Sequence, residues 1–500
     1  MAAPFWSLRS FSLAHRRDDG EELLLDNASL EVPRGGFYLL VGGSGGGKSS
    51  LVRLCAGLCD PREPLPRTQG AFDCLGESVA QGPSRALRAR IATILQEEGL
   101  LDELTPRQNV ELALRAAGRS LRLAPALLAD VGLDPIPDRV ASLSGGMKKR
   151  LAVARSLAAE PEALFCDEPT AGLDPEAARK IAELLRRAHD ASKGRTTVVI
   201  THDLDAFYGI HDAVIALDRS SKTLRMHQPG TKLAFEPVQS GASRAEAADS
   251  DLVHGLRRSV LAFGGVAHTI AASILRLPPI ELRQTARAIA QCTLAPMPFV
   301  ASASAAIGGL ATFFALRNNP VEGGFESEIL QGTGKVLVAV LMPLLCAFFF
   351  TARVAAGAAA RLGTMTRTQQ VASLRTMGID PADYLLTPLV WGMAIGLPAA
   401  TFVGVTFASL AGWVAAEAVS GTSTLGFVQS WFRNVDAIDL RTALGKSVLS
   451  GYLVALTCYH LGTGPKRSGA DVGESVNRSI VLAMGLALFV HAALTLLVYA

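Results

Sequence analysis

The sequence predicts an α/β domain followed by an all-α, polytopic transmembrane domain of about five spans plus an interfacial helix. Three observations carry this. Short apolar strands alternate with helical patterns up to about residue 220. A glycine-rich stretch, GGSGGGKS, directly follows the apolar run FYLLV. The second half contains five long runs without a charged side chain.

Composition fits this division. The 500 residues are 49% hydrophobic and 19% charged, with a mean hydropathy of +0.29, too apolar for an ordinary soluble enzyme. About two thirds of the charged side chains lie in the first 250 residues. A formal net charge of +3 gives no footing for nucleic acid. The seven cysteines form neither a metal-ligand pairing nor a disulfide framework, which suits a reducing compartment for the first half. The first twenty residues hold no sustained apolar run, so no signal peptide is expected there.

In the first half, GGFYLLVGG reads as a buried strand entering glycines, and EALFCDEP and RTTVVITHD as two more strands ending in polar residues. Polar residues at the carboxyl end of a strand face the usual ligand crevice of an α/β sheet. Gly42, Gly43, Ser44, Gly45, Gly46, Gly47, Lys48 and Ser49 fit G-x-x-x-x-G-K-S, and Ser50 follows in the helix. Glycines let backbone N–H groups curl around phosphate oxygens, and the helix N-terminus adds its positive end. Lys48 is predicted on the β- and γ-phosphates, and the Ser49 hydroxyl on Mg2+. At the end of ALFCD, Asp167 is predicted in the Mg2+ shell, Glu168 as the group that polarises water, and Cys166 as inert packing. His202 closes the next strand and is expected at the γ-phosphate.

Two further elements sharpen the pattern. LSGGM precedes the helical KKRLAVARSLA, so Ser144, Gly145 and Gly146 offer a second anion site, and Gln96 follows the apolar run ATIL. In order, the glycine loop, Gln96, LSGG, Asp167-Glu168, Asp174 in AGLD and His202 resemble the P-loop, Q-loop, signature, Walker B, D-loop and H-loop of ABC transporter nucleotide-binding domains. The resemblance implies ATP and Mg2+ as cofactors, with Gln96 beside Ser49 and Asp167 at the metal. It also implies a homodimer, because each ATP in that family lies between the P-loop of one domain and the LSGG of another. For the aromatic that stacks on adenine, Phe11 and His15 are candidates, with Leu13 at the expected position.

Residues 221–253 have loop composition and read as a linker between an ATP-binding domain (1–220) and a transmembrane domain (254–500). The charge-free runs are 288–316, 336–352, 384–416, 447–465 and 479–500, with 336–352 extended through Arg353 towards Arg361. Residues 259–275 read as an interfacial helix. With the first half cytosolic, the inside segments are richer in Lys and Arg than the outside ones, and the C-terminus falls outside. Within the runs only His460 and His491 titrate, and Gly392-x-x-x-Gly396 is expected at a close helix crossing.

Between two of these runs lies RLGTMTRTQQVASLRTMGIDPADYLLTP. Its L-G-T-M, paired glutamines, S-L, M-G-I-D-P and Y-L-x-x-P resemble the permeases of MCE-associated, Mla-type lipid transporters, and CYHLGTGPKRSGADVGESVNRS resembles their later loop. That resemblance implies a fused ATPase-permease moving phospholipid-class molecules in the bacterial inner membrane, with a periplasmic MCE-domain lipid-binding protein as partner. It also makes 364–377 a coupling helix ended by Gly378 and Pro381, set in a groove near Gln96. Alternatives are an ABC exporter of other hydrophobic molecules and a non-transporting, mechanically signalling ABC complex.

Overall fold

The computed structural model describes residues 3–17, 20–43, 45–59, 66–229, 282–318, 324–466 and 468–499. They fall into two compact units, Met1–Ala247 with Thr368–Asp380, and Ala248–Arg367 with Pro381–Ala500.

The first unit is built on two sheets. Its elements are β1 (Trp6–Arg17), β2 (Gly20–Val32), β3 (Phe37–Gly42), α1 (Lys48–Ala56), β4 (Arg67–Cys74), β5 (Glu77–Ser78), α2 (Arg85–Ala89), β6 (Ile91–Ile94), α3 (Pro106–Ala116), α4 (Ala124–Asp130), α5 (Gly145–Leu157), β7 (Ala163–Asp167), α6 (Pro175–Asp190), β8 (Thr196–Ile200), β9 (Ala213–Asp218) and β10 (Thr223–His227). The larger sheet runs β10-β9-β3-β8-β7-β6, parallel except for β10 at its edge. The smaller, antiparallel sheet runs β2-β1-β4-β5.

Strands β3, β6 and β8 are buried at every position, as strands covered on both faces must be, and this is why they read as unbroken apolar runs. Alternation along β3 sends Phe37, Leu39 and Val41 to the core shared with α3–α6. Tyr38 and Leu40 go to the core shared with β1, β2, β4 and α1. The order β3-β8-β7 sets the carboxyl ends of these three strands side by side, so the loops after Gly42, Asp167 and Ile200 converge. Residues read as the start of the linker form β10 instead: TLRMH pairs with β9, and its Leu224 is buried. Residues 230–253 of that linker and the interfacial helix expected over 259–275 lie outside the described residues.

The second unit is helical: α7 (Leu282–Leu294), α8 (Met297–Arg317), α9 (Glu326–Val336), α10 (Met342–Phe350) and α11 (Ala356–Arg367), then α13 (Thr387–Ser420), α14 (Thr424–Phe432), α15 (Ala437–Gly462) and α16 (Gly469–Tyr499), where α12 (Gln370–Thr376) belongs to the first unit. Single π-turns, Leu337–Leu341 and Thr351–Ala355, join α9, α10 and α11 into one continuous helix. Among the described residues, four helices are long and apolar enough to cross a membrane: Gln284–Arg317, Glu326–Arg367, Ala382–Ser420 and Gly469–Tyr499. Four of the five charge-free runs fall on these helices, as expected of an all-α polytopic domain. The run 447–465 lies in α15, which is long enough but buries Asp439, Lys446, Ser447, Ser450 and Thr457 and is therefore less apolar.

Small residues set the helix crossings. A Cβ on Gly308 would stand 2.3 Å from the Ala408 carbonyl oxygen, and one on Gly451 2.4 Å from that of Met393. Gly392 and Gly396 lie against the backbone of Ala288 and Cys292, with carbonyl oxygens 3.1 Å from each would-be Cβ, the close crossing expected of that pair. Inside the bundle Lys446 donates to the Ala339 carbonyl (3.2 Å) and to Thr495 Oγ1 (2.9 Å). Asp439 is fully buried, pairs with Lys335 at 2.8 Å and accepts from the Tyr499 hydroxyl.

The segment expected to be one helix over 364–377 is two. Thr364 to Arg367 complete α11, Gln369 turns the chain at φ 58°, and α12 follows. It stops in a Schellman motif, with Gly378 at φ 74°, Gly378 N–H donating to Arg375 O and Ile379 N–H to Leu374 O, both at 3.0 Å.

Candidate functional site

The glycine loop leaves β3 at Gly42 and enters α1 at Lys48. Gly45 and Gly47 have φ of 74° and 98°, values that only glycine adopts at little cost. A Cβ on Gly47 would press on Leu24 at 3.0 Å, while one on Gly43 would meet nothing within 4 Å. Ser44 lies outside the described residues. Lys48 is buried and donates to the carbonyl oxygens of Gly42 (2.8 Å) and Gly43 (3.0 Å), so its ammonium is held over the loop. Burial lowers its pKa, and the nearby Glu168 and Asp167 charges oppose that shift.

Four side chains from three elements meet beside it. Ser49 Oγ, in the first turn of α1, donates to Asp167 Oδ1 at 3.3 Å at the end of β7. His202, just past β8, sits with Nε2 3.2 Å from Glu168 Oε1. Glu168 takes a left-handed backbone (φ 51°), and its N–H donates to the Ile200 carbonyl at 3.0 Å. A non-glycine residue held in that region costs on the order of 1–3 kcal/mol, which the β7–β8 pairing must offset. Burial raises the pKa of Asp167, against Arg53, Ser49 and Lys48. Burial likewise raises Glu168, with His202 pulling it down and Asp167 adding to the rise. Two desolvated carboxylates beside a hydroxyl want a positive counter-charge. This donor set fits Mg2+, which takes few protein ligands and completes its shell with phosphate and water. Cys166 is fully buried, and burial pushes its thiol up, so it is inert as expected.

The remaining residues do not join this cluster. Among the described residues no hydrogen bond links Ser144, Gly145 or Gly146 to the glycine loop. Ser144 caps α5, accepting from Met147 N–H at 3.3 Å, and a Cβ on Gly146 would find nothing within 4 Å. Asp174 caps α6, accepting from Ala177 N–H at 2.9 Å, and is exposed. Ser50 is half-buried in α1. Gln96 is exposed, and its main-chain carbonyl accepts from Lys149 Nζ at 2.9 Å. Of the adenine-stacking candidates, Phe11 and the neighbouring Leu13 are fully buried in the core, and only the half-buried His15 offers an accessible ring.

Three features escape the motif-based reading. Arg53, five residues after Lys48 on α1, supplies the main opposing charge at Asp167. Lys149 and Arg155, both buried on α5, bind the loop after Gln96. Their only sequence signal is that they are charged residues on the otherwise apolar face of a helix.

That loop is also the seat of α12. Gln370 Nε2 donates to Asp102 Oδ2 at 2.9 Å, and Met377 packs on the core of the α3–α6 side. A Cβ on Gly99 would stand 2.7 Å from Ser373 Cβ and 2.8 Å from the Gln369 carbonyl oxygen. Gln370 and Ser373 are buried there.

Residues 25–171 match the family described as ABC transporter, and residues 285–497 the family described as Permease MlaE. The methionine import ATP-binding protein of Brucella abortus (strain 2308) is 38% identical over 208 residues, covering 41% of this chain and 55% of that protein. Its counterpart from Streptomyces coelicolor is 38% identical over 246 residues, covering 45% and 69%. The chain thus spans about half the length of the first of these relatives. Among solved structures, the dimeric post-hydrolysis state of an ATP-binding cassette bound to ADP and Pi is 25% identical. It covers 45% of this chain and 98% of that one, with a TM-score of 0.39.

Proposed function

We propose that this chain, which belongs to the ABC transporters and joins their ATPase domain to an MlaE permease in one polypeptide, is the ATP-driven core of a phospholipid transporter. In this reading it works as a homodimer in the bacterial inner membrane, with the ATPase domain cytosolic and multi-pass helices in the bilayer. The ATPase domain runs through β10, and a linker leads to the permease.

The observation that carries the reading is the seat of α12. The chain leaves the permease unit at Arg367, lays Thr368–Asp380 on the ATPase unit, and returns at Pro381. A segment of a membrane domain built into an ATPase core is what transmission of a nucleotide-driven movement requires.

Bound ATP with Mg2+ would supply the phosphoryl group whose transfer to water drives the cycle. Gly42, Gly43, Ser44, Gly45, Gly46 and Gly47 cradle phosphate oxygens with their N–H groups, and Lys48 turns from its carbonyl partners to the β- and γ-phosphates. Ser49 and Asp167, with Gln96, hold the metal. Glu168 orients and polarises the attacking water, and His202 steadies Glu168 and reaches the γ-phosphate. Ser144, Gly145, Gly146 and Asp174, open on the surface and away from the cluster, complete the site of a second copy. The half-buried His15 takes the base.

Lipid as cargo is supported by the permease family and by apolar helices whose exposed side chains include Phe299, Leu310, Phe402 and Leu488. A periplasmic MCE-domain lipid-binding protein would pass lipid to or from the permease. The test is to extract the full chain from membranes with its neighbours and determine copy number, bound lipids and bound proteins by mass spectrometry. Two copies carrying phospholipid support the reading. A single copy, or a non-lipid hydrophobic ligand in place of phospholipid, overturns it.

A further inference from the structure

The loop from Gln96 to Gly99 is held by the helix behind it. Lys149 and Arg155 are 4% and 3% exposed, and both lie on α5. Lys149 Nζ donates to the Gln96 carbonyl at 2.9 Å and pairs with Glu98 Oε1 at 2.8 Å. Arg155 donates to the carbonyls of Gly99 (2.7 Å) and Glu98 (2.6 Å). Glu98 and Gly99 are consecutive left-handed residues, at φ 47° and 58°. An extended chain gives up such a conformation readily unless something holds it, and here the carbonyls of 96, 98 and 99 are all occupied by side chains of one helix. On its other side the same loop meets α12 with no room for a methyl group at Gly99.

We propose that Lys149, Arg155 and Glu98 weld α5 and the loop that seats α12 into one lever, so that α12 answers to whatever engages Ser144–Gly146 at the far end of α5. These are positioning residues, and they touch no nucleotide. The inference rests on the reading above. There, Ser144, Gly145 and Gly146 close on the nucleotide held by the second copy. The consequence is specific: each copy's α12 is moved by the ATP in its partner's glycine loop, while its own Gln96 side chain stays free to serve its own site. The lever is short and stiff. From the Ser144 cap to Arg155 is about three helical turns, or roughly 16 Å at the rise of an α-helix. Removing one partner of such a buried pair leaves the other charge uncompensated and loosens the loop.

The test uses the full chain in nanodiscs of phosphatidylethanolamine and phosphatidylglycerol, with hydrogen exchange followed in the nucleotide-free state and after trapping with Mg-ATP and vanadate. In the wild type, trapping should protect the glycine loop and change exchange over 368–380. In Lys149→Met, and separately in the milder Glu98→Gln, protection of the glycine loop should persist while the change over 368–380 is lost. The conservative Lys149→Arg, which keeps a donor for the Gln96 carbonyl and a charge for Glu98, should retain it, whereas loss of burial alone would not be rescued by charge and donor. Single variants that keep the wild-type response at 368–380, or a folded Lys149→Arg that loses it, overturn the lever. A wild type with no trapping-linked change at 368–380 overturns the coupling reading as well, so the two failures are distinguishable.

Discussion

Gln370 donates from Nε2 to the Asp102 carboxylate at 2.9 Å, across 268 positions of sequence. Both side chains are polar, and Gln370 is 3% exposed, so neither would sit there by hydrophobic burial alone. The bond joins a segment inserted between two membrane helices to the loop that follows Gln96. Asp102 is exposed, but removing it leaves the buried Gln370 amide with Thr368 Oγ1 as its remaining acceptor, which costs on the order of 1 kcal/mol.

Gly99 gives the sharpest steric prediction. A side chain there meets Ser373 and the Gln369 carbonyl below 3 Å and must also adopt a left-handed backbone. Gly99→Val should lose about 2 kcal/mol or more of local stability and detach α12 from its seat. Limited proteolysis should then cut within 368–380, and ATP hydrolysis should no longer respond to the lipid environment. Wild-type protection of that segment would contradict the account.

Glu168→Gln keeps the size and hydrogen-bonding reach of the side chain but removes its basicity. Hydrolysis should fall by roughly 10²–10⁴-fold, the usual yield of a positioned acid–base group, while nucleotide binding, measured by fluorescence of a labelled ATP analogue, is retained. A variant that hydrolyses normally would remove Glu168 from the role assigned to it.

The raised pKa of Glu168 sets a pH dependence. Its carboxylate form grows only as pH rises through the folded-state value. The acid limb of kcat/KM for ATP should therefore lie above the ordinary glutamate range. His202 holds Glu168 down, so His202→Ala should move that limb to higher pH. Stability runs the other way. A carboxyl whose folded pKa is raised binds its proton more tightly folded than unfolded, so its stabilising contribution is lost as pH rises from the ordinary range to the raised value. An acid limb at the pH of an exposed glutamate would contradict the burial argument.

Asp439 is fully buried and carries the Lys335 ion pair and the Tyr499 bond. Asp439→Ala should leave the Tyr499 hydroxyl without its acceptor and Lys335 with only the more distant Asp436 at 3.7 Å, and cost about 1–3 kcal/mol. Thermal unfolding in detergent, read by tryptophan fluorescence, should shift down by several degrees. Lys335→Ala leaves the buried Asp439 carboxylate without its counter-charge and should be similarly severe. An unchanged unfolding temperature in both would mean that the cluster is not a structural tie.

Much of the ATPase fold was legible because parallel strands buried on both faces read as unbroken apolar runs, and because the glycine loop, Asp167, Glu168 and His202 stand at the ends of β3, β7 and β8. What escaped was set by tertiary contact. TLRMH looked like a linker because an edge strand is half exposed and need not be apolar. The break at Gln369 was missed because a left-handed glutamine has no sequence mark comparable to the Gly378 stop. Lys149 and Arg155 drew no role from the sequence, since only the fold reveals that the loop after Gln96 covers them. Among the described residues the fifth run, 447–465, begins on α15 just after Asp439 and Lys446, polar residues that the fold buries between helices and that the run itself does not contain.

The central claim is that nucleotide closure in the ATPase unit changes the permease's hold on lipid through α12. The most direct measurement is native mass spectrometry of the full chain, counting bound phospholipid without nucleotide and after trapping with Mg-ATP and vanadate. Lipid occupancy that changes on trapping in the wild type but not in the paired Asp102→Ala, Gln370→Ala variant is the predicted result. Occupancy that ignores nucleotide in the wild type would contradict the account.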